Sequence, residues 1–167
     1  MNIQFYYEKL QDSKEYQSFM KKNPKAFLCS GFFIIDKKAQ DNRQHFDFYI
    51  SGNKKIFSFE LENNCKKNVL EQLGDKVPEK LEVNFDFDLN EIEKLVAGEM
   101  EKQKINNKIE KMLFSLQTID GKNLLIGTVF LSMLGLLKVH IDIEKKKVLV
   151  CEKKSFFDMV NVKGKKK

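Results

Sequence analysis

The spacing of apolar residues changes from a helical period to strand-like alternation twice along this 167-residue chain. In the first instance, apolar residues keep near-helical spacing from Tyr6 to Met20, and Pro24 follows them. Because the residue before a proline resists the helical conformation, the pattern predicts a helix over residues 6–22. The strand-like stretches that follow this helix constrain the fold most.

Three strand-like stretches follow the first predicted helix. Residues 27–35 are aromatic and β-branched, and two later stretches alternate apolar with polar residues on either side of a turn at residues 51–54. The alternation places four phenylalanines on one face of this predicted meander. They form a candidate binding surface, although the pattern favours their lining the core under the first helix. These residues are Phe46, Phe48, Phe57 and Phe59.

The same order of elements recurs from residue 88 onward. Asp88 and Glu91 have the spacing of a capping box, which predicts a helix over residues 89–105. Strand character returns at residue 112, and Asp120-Gly121 is typical of a hairpin turn. The second half therefore also predicts one helix followed by three strands.

Short sequence matches accompany the repeated order of elements. Residues 8–10 read Glu-Lys-Leu and recur as residues 93–95, and in each half a leucine opens a strand 20 residues after the triplet begins, at Leu28 and Leu113. We therefore predict an α+β fold of two helix-plus-three-stranded antiparallel meander units that arose by duplication.

The domain boundaries follow from these elements. The first unit spans residues 1–62, and the second spans residues 88–160, closing with an apolar helical turn. Residues 63–87 form a connector that is predicted to hold a short helix over 66–73 and an extended segment over 81–87. A basic tail occupies residues 161–167.

This arrangement resembles the PepSY-like family, whose units pack one helix across an antiparallel meander. The second half is the more similar, and it looks like the uncharacterised archaeal PepSY-like proteins. The resemblance implies a fold and a binding or inhibitory role, and it implies no reaction. The stretches that carry it are residues 115–118, 126–129, 139–142 and 154–157.

The charge of the chain bears on its partners. The formal net charge is +6, but Arg43 is the only arginine. Proteins that recognise bases or phosphates with defined geometry favour the guanidinium group, so specific nucleic-acid binding is disfavoured. A nucleic-acid or ribosome-associated factor acting through the lysines of the tail is the alternative function. These lysines are Lys163, Lys165, Lys166 and Lys167.

Cysteine usage indicates a compartment. Cys29, Cys65 and Cys151 are odd in number and far apart, which favours free thiols over a disulfide framework. The first residues show no basic stretch followed by an apolar run, so no signal peptide is expected. A cytoplasmic location is the prediction, with Cys65 as the most reactive thiol and the other two on buried strands.

An apolar run over residues 124–137 invites a membrane interpretation. It is shorter than the roughly 20 residues that a transmembrane helix needs, and its glycines and serine suit a hairpin of two buried strands. Phe130 or Leu131 is then expected to be deeply packed. A membrane-associated or partner-binding patch is the alternative.

No motif for chemistry is apparent. His45 and His140 are the only histidines, neither has a ligand at the usual linear spacing, and both are predicted to face solvent. Glu60 and Glu62 alternate with apolar residues, as do Asp86 and Asp88, which favours the solvated face of strands. No metal, cofactor or catalytic residue is predicted. We expect a non-enzymatic interaction module that binds a peptide or partner protein on a sheet face or edge.

Overall fold

The structure is a computed structural model, and it describes residues 2–62, 64–70, 76–82, 84 and 86–155. Those residues form three helices and eight strands. The helices are α1 (Ile3–Gln11), α2 (Lys14–Lys22) and α3 (Leu89–Lys102). The strands are β1 (Phe27–Asp36), β2 (Arg43–Ile50), β3 (Lys55–Glu60), β4 (Lys66–Leu70), β5 (Ile109–Ile119), β6 (Lys122–Leu131), β7 (Gly135–Asp142) and β8 (Lys147–Ser155).

All eight strands join one antiparallel sheet in the order β4-β3-β2-β1-β5-β6-β7-β8. Each half of the chain is a meander that starts at the centre of the sheet and ends at an edge. The halves meet where β1 pairs with β5, with Phe33 opposite Phe114. The mixed fold of helices and an antiparallel sheet is confirmed, but each half contributes four strands rather than the three predicted.

The first predicted helix is divided into two. Asn2 caps α1, because its Oδ1 accepts a hydrogen bond from Phe5 N at 3.2 Å. Ser13 caps α2 in the same way, with Tyr16 N donating to Ser13 Oγ at 3.2 Å. A serine in the middle of a helical pattern starts a new helix here, because its hydroxyl satisfies a backbone donor that the first turn leaves free.

The third helix starts where the sequence predicts. Asp88 caps α3 by accepting from Asn90 N at 2.7 Å. The Glu91 carboxylate pairs with Lys146 at 3.1 Å instead of reaching back to the cap. The helix ends at Lys102, three residues short of its predicted end.

The connector contains a strand where a helix was predicted. Residues 66–70 form β4, which pairs with β3 and places Val69 opposite Phe57. The prediction of a helix over 66–73 is therefore wrong over 66–70, and 71–73 lie outside the described residues. The unpaired edge of β3 explains the outcome, since it offers backbone hydrogen bonds that override weak local helix preference. The described residues of the predicted extended segment, 81–87, form no strand, although Leu81 N donates to Leu28 O of β1 at 2.8 Å.

The helices cover one face of the sheet. Tyr16 lies 5.3 Å from Phe48 and 5.8 Å from Phe59, and Phe19 lies 5.2 Å from Phe57, measured between ring centroids. From α3, buried side chains including Val96 join the same core cluster. No helix lies on the opposite face in the part of the chain that is described.

One close approach fixes the middle of the core. Gly127 on β6 lies opposite Phe114 on β5, and a Cβ added at Gly127 would lie 2.4 Å from Phe114 Cδ1 and 2.2 Å from Leu113 O. The Phe114 ring is fully buried. The absence of a side chain at residue 127 therefore creates the space in which this ring packs.

The apolar run over residues 124–137 forms the hairpin of β6 and β7, as predicted. Leu131 is the buried residue of the candidate pair, whereas Phe130 is half-buried. The turn between the strands exposes 91% of Met133 and 66% of Leu134, so the run is not entirely buried. No helix among the described residues combines the length and apolar character needed to cross a membrane.

Candidate functional site

The face of the sheet opposite the helices carries two adjoining features, an apolar groove and a cluster of a histidine with two glutamates. Both follow from strand alternation, because residues that face each other across neighbouring strands share a face. One cross-strand row runs Glu60, His45, Phe32, Ser115 and Ile126. Its first two residues belong to the cluster and the other three line the groove.

The groove extends over five neighbouring strands, which are β1, β5, β6, β7 and β8, and it has a volume of about 600 Å³. This volume is in the range of ligand-binding clefts, which are mainly apolar with a few polar groups. Large apolar side chains from β1, β5, β6 and β7 line it, with two hydroxyl groups and two lysines. These residues are Phe32, Leu113, Ser115, Ile126, Thr128, Leu136, Lys138 and Lys154.

The two lysines that line the groove differ in their ion pairs, and His140 lies next to the groove residue Ile126. Lys154 forms an ion pair with Glu152 at 3.3 Å. Lys138 is exposed, and no described carboxylate lies within ion-pair distance of it. His140, opposite Ile126, has a buried Nε2 without a hydrogen-bond partner in the described chain. The prediction that His140 simply faces solvent is therefore wrong for this nitrogen atom.

The cluster lies beside the groove on β2 and the end of β3. His45 and Glu60 are opposite each other in the β2–β3 pair, and Glu62 follows two residues later. One possible ligand atom from each of the three lies within 4.8 Å of the others. His45 Nε2 is 3.2 Å from Glu62 Oε1, and both side chains are about one-fifth exposed. The ring of His45 also contacts Phe32 of the groove, with centroids 5.9 Å apart.

Neutral donors orient the two carboxylates. Asn68 Nδ2 donates to Glu60 Oε1 at 2.6 Å, and the backbone N–H of Gln44 donates to Glu62 Oε1 at 2.8 Å. No lysine or arginine among the described residues forms an ion pair with either carboxylate. The cluster therefore combines one imidazole with two carboxylates that form no described ion pair with a lysine or arginine, although both act electrostatically on the guanidinium of Arg43.

A buried carboxyl group lies next to the cluster on the same face of β2. Asp47 Oδ2 accepts from Ser30 Oγ at 2.7 Å, whereas Asp47 Oδ1 is buried and has no described partner. Burial raises the pKa of Asp47, and the hydrogen bond from Ser30 opposes that rise.

The three thiols are poor nucleophiles at neutral pH. Burial, together with the charge of Asp47, raises the pKa of Cys29 to about 12. Burial also raises the pKa of Cys65 and that of Cys151, both half-buried. Cys29 is on a buried strand as predicted, whereas Cys151 lies on the edge strand β8 and is not buried.

The aromatic residues predicted as a binding surface are in the core. Phe46, Phe48 and Phe59 are buried beneath α1 and α2, and Phe57 is half-buried against Phe19. Their selection as a binding surface is therefore wrong, and the alternative given with it, lining the core under the first helix, is correct. The lysines of the tail, Lys163, Lys165, Lys166 and Lys167, lie outside the described residues.

The cluster was missed because linear spacing was the criterion. The turn at residues 51–54, which is confirmed, fixes which residues of β2 and β3 face each other. Counting outward from that turn places His45 opposite Glu60, so the sequence did contain the signal. For the groove, the turn at Asp120-Gly121 carried the same kind of signal for the lining residues of β5 and β6, whereas nothing in the sequence indicated that β1 pairs with β5 and adds Phe32.

No protein-family model, curated protein or solved structure matches this chain.

Proposed function

We propose that the protein is a non-enzymatic binding module that holds an apolar segment of a peptide or partner protein in the groove. The observation that carries the proposal is an apolar groove of about 600 Å³ on the face of the sheet that none of the three described helices covers. Phe32, Leu113 and Ile126 are half-buried and supply apolar surface that a partner would remove from water, which is the main driving force for association.

The charge in the groove suggests the chemistry of the partner. Lys138 on β7 forms no ion pair with a described residue, and it lies in a cross-strand row that runs Leu113, Thr128, Lys138 and Glu152. A segment with apolar side chains and one carboxylate would contact both kinds of surface. We therefore propose an extended acidic-apolar segment as the occupant.

The face of the sheet is a better candidate than its edges. The edge strand β4 begins with Lys66 and Lys67, and the edge strand β8 carries Lys147, Lys153 and Lys154. Lysines on edge strands are a common way in which proteins prevent pairing with another chain. Binding by strand addition is therefore disfavoured relative to binding in the groove.

A peptide selection tests the proposal. A random peptide library is panned against the wild-type protein, and the enriched peptides are titrated against Leu113→Lys and Leu149→Lys. Leu113 lines the groove, whereas Leu149 is an exposed apolar residue of β8 that does not line it. We expect enriched peptides to be apolar with an acidic residue and to lose at least about tenfold in affinity against Leu113→Lys only, about 1.4 kcal/mol. Equal binding to both variants would refute the groove as the site.

We also propose that the two halves descend from a duplication and that the fold is PepSY-like. The shared order of helical segment and antiparallel meander supports this, as does the central antiparallel pairing of β1 with β5. The difference is that the first half has two short helices where the second has one. We also propose a cytoplasmic location, which the free thiols suggest.

A nucleic-acid or ribosome-associated role through the tail stays a prediction, because the tail lies outside the described residues. Pull-down from native lysate with and without RNase treatment would test it, since a partner that RNase releases would support that role instead.

A further inference from the structure

We propose that His45, Glu60 and Glu62 form a binding site for a divalent first-row transition-metal ion, with Zn²⁺ as the representative. The proposal is independent of the groove, since it depends only on the cluster at the β2–β3 hairpin. Two of the three residues are cross-strand partners, and the third, Glu62, lies two residues beyond the end of β3, where the backbone N–H of Gln44 donates to its carboxylate.

The spacing of the cluster is compatible with metal coordination. Zinc ligands bind at about 2.0–2.2 Å in tetrahedral geometry, so neighbouring ligand atoms are about 3.4 Å apart. The distance of 3.2 Å between His45 Nε2 and Glu62 Oε1 is close to that value. Glu60 is within 4.8 Å, which a small side-chain rotation can shorten. Three protein ligands would leave a fourth position for water.

The donor set indicates the kind of metal. One imidazole nitrogen with two carboxylate oxygens suits Zn²⁺, Mn²⁺, Fe²⁺ or Co²⁺. Ca²⁺ and Mg²⁺ prefer oxygen ligands throughout, so the histidine disfavours them.

The surroundings support a cation. Asn68 and the backbone of Gln44 each hold one carboxylate oxygen in place, as the outer contacts of metal ligands commonly do.

Titration of the purified, metal-free protein with Zn²⁺ and Co²⁺ tests the site. Calorimetry gives the Zn²⁺ affinity and stoichiometry, and the absorption of bound Co²⁺ reports whether a thiolate is a ligand. This second readout is needed because the chain has three cysteines. His45→Ala and Glu62→Gln remove ligands, Asn68→Ala removes an outer contact, and His140→Ala is the matched control. Far-ultraviolet circular dichroism verifies that each variant is folded.

We expect one Zn²⁺ per chain, with no thiolate band for Co²⁺ and with little response to Mg²⁺. His45→Ala and Glu62→Gln should abolish this binding, and Asn68→Ala should weaken it by roughly tenfold. His140→Ala should bind as the wild type does. Undetectable binding, a thiolate band, or unchanged affinity in any folded variant that lacks His45 or the Glu62 carboxylate would overturn the proposal.

Discussion

Gly127→Ala should destabilise the protein by overpacking its core. The new Cβ would lie 2.2 Å from Leu113 O and 2.4 Å from Phe114 Cδ1, both far below van der Waals contact. Extra atoms in a packed core typically lower the free energy of unfolding by about 1–3 kcal/mol. Replacing a strand glycine by alanine raises it by about 0.5–1 kcal/mol, because the unfolded chain loses conformational freedom. Leu113 O is a backbone atom held in the sheet and cannot move aside, so we expect the overpacking cost to lie at the upper end of its range. The net loss in the free energy of unfolding is then about 2 kcal/mol.

Urea unfolding followed by circular dichroism measures this loss, since the chain has no tryptophan. The unfolding midpoint should fall while the slope stays constant. Phe114→Leu should cost less in the Gly127→Ala background than in the wild type, because the smaller side chain relieves the contact. Gly98→Ala is the control, since its Cβ would meet no atom within 4 Å, and it should stabilise α3 by about 0.8 kcal/mol. A Gly127→Ala variant as stable as the wild type would refute the reasoning.

Three further predictions follow from burial and charge. Leu131→Ala should cost about 2–5 kcal/mol in urea unfolding, and more than Phe130→Ala, because only Leu131 is buried. Thiol labelling of the native protein should leave Cys29 as the slowest group, and its rapid reaction would contradict its position in β1. The Asp36 carboxylate accepts backbone N–H bonds and pairs with Lys111 at 3.0 Å, which lowers its pKa. Its stabilising effect is present at neutral pH and is lost as pH falls below about 4, so the advantage of wild type over Asp36→Asn in thermal unfolding should shrink there.

Local patterns predicted those elements in which a short-range signal and the tertiary fold agree. The turns at residues 51–54 and at Asp120-Gly121 are correct, and so is the cap of α3 by Asp88. In each case a side chain or a turn residue satisfies backbone groups within a few positions, independently of the rest of the chain.

The errors occurred where a distant part of the chain decides the local structure. Residues 66–70 form β4 because an edge of β3 is available.

The groove depends in part on the order of the strands, which the sequence did not supply. Strands β5 to β8 form most of it, and the pairing of β1 with β5 adds Phe32 next to Ser115. The cluster needed only the β2–β3 register, and for that reason it could have been found from the turn.

Chemical-shift mapping tests the central claim, that the groove binds a partner segment, most directly. A peptide enriched by selection is titrated into the protein with labelled methyl groups, and shift changes are followed residue by residue. We predict the largest changes at Leu113, Ile126 and Leu136, which line the groove. Changes centred instead on the helix-covered face or on the edge strand β4 would contradict it.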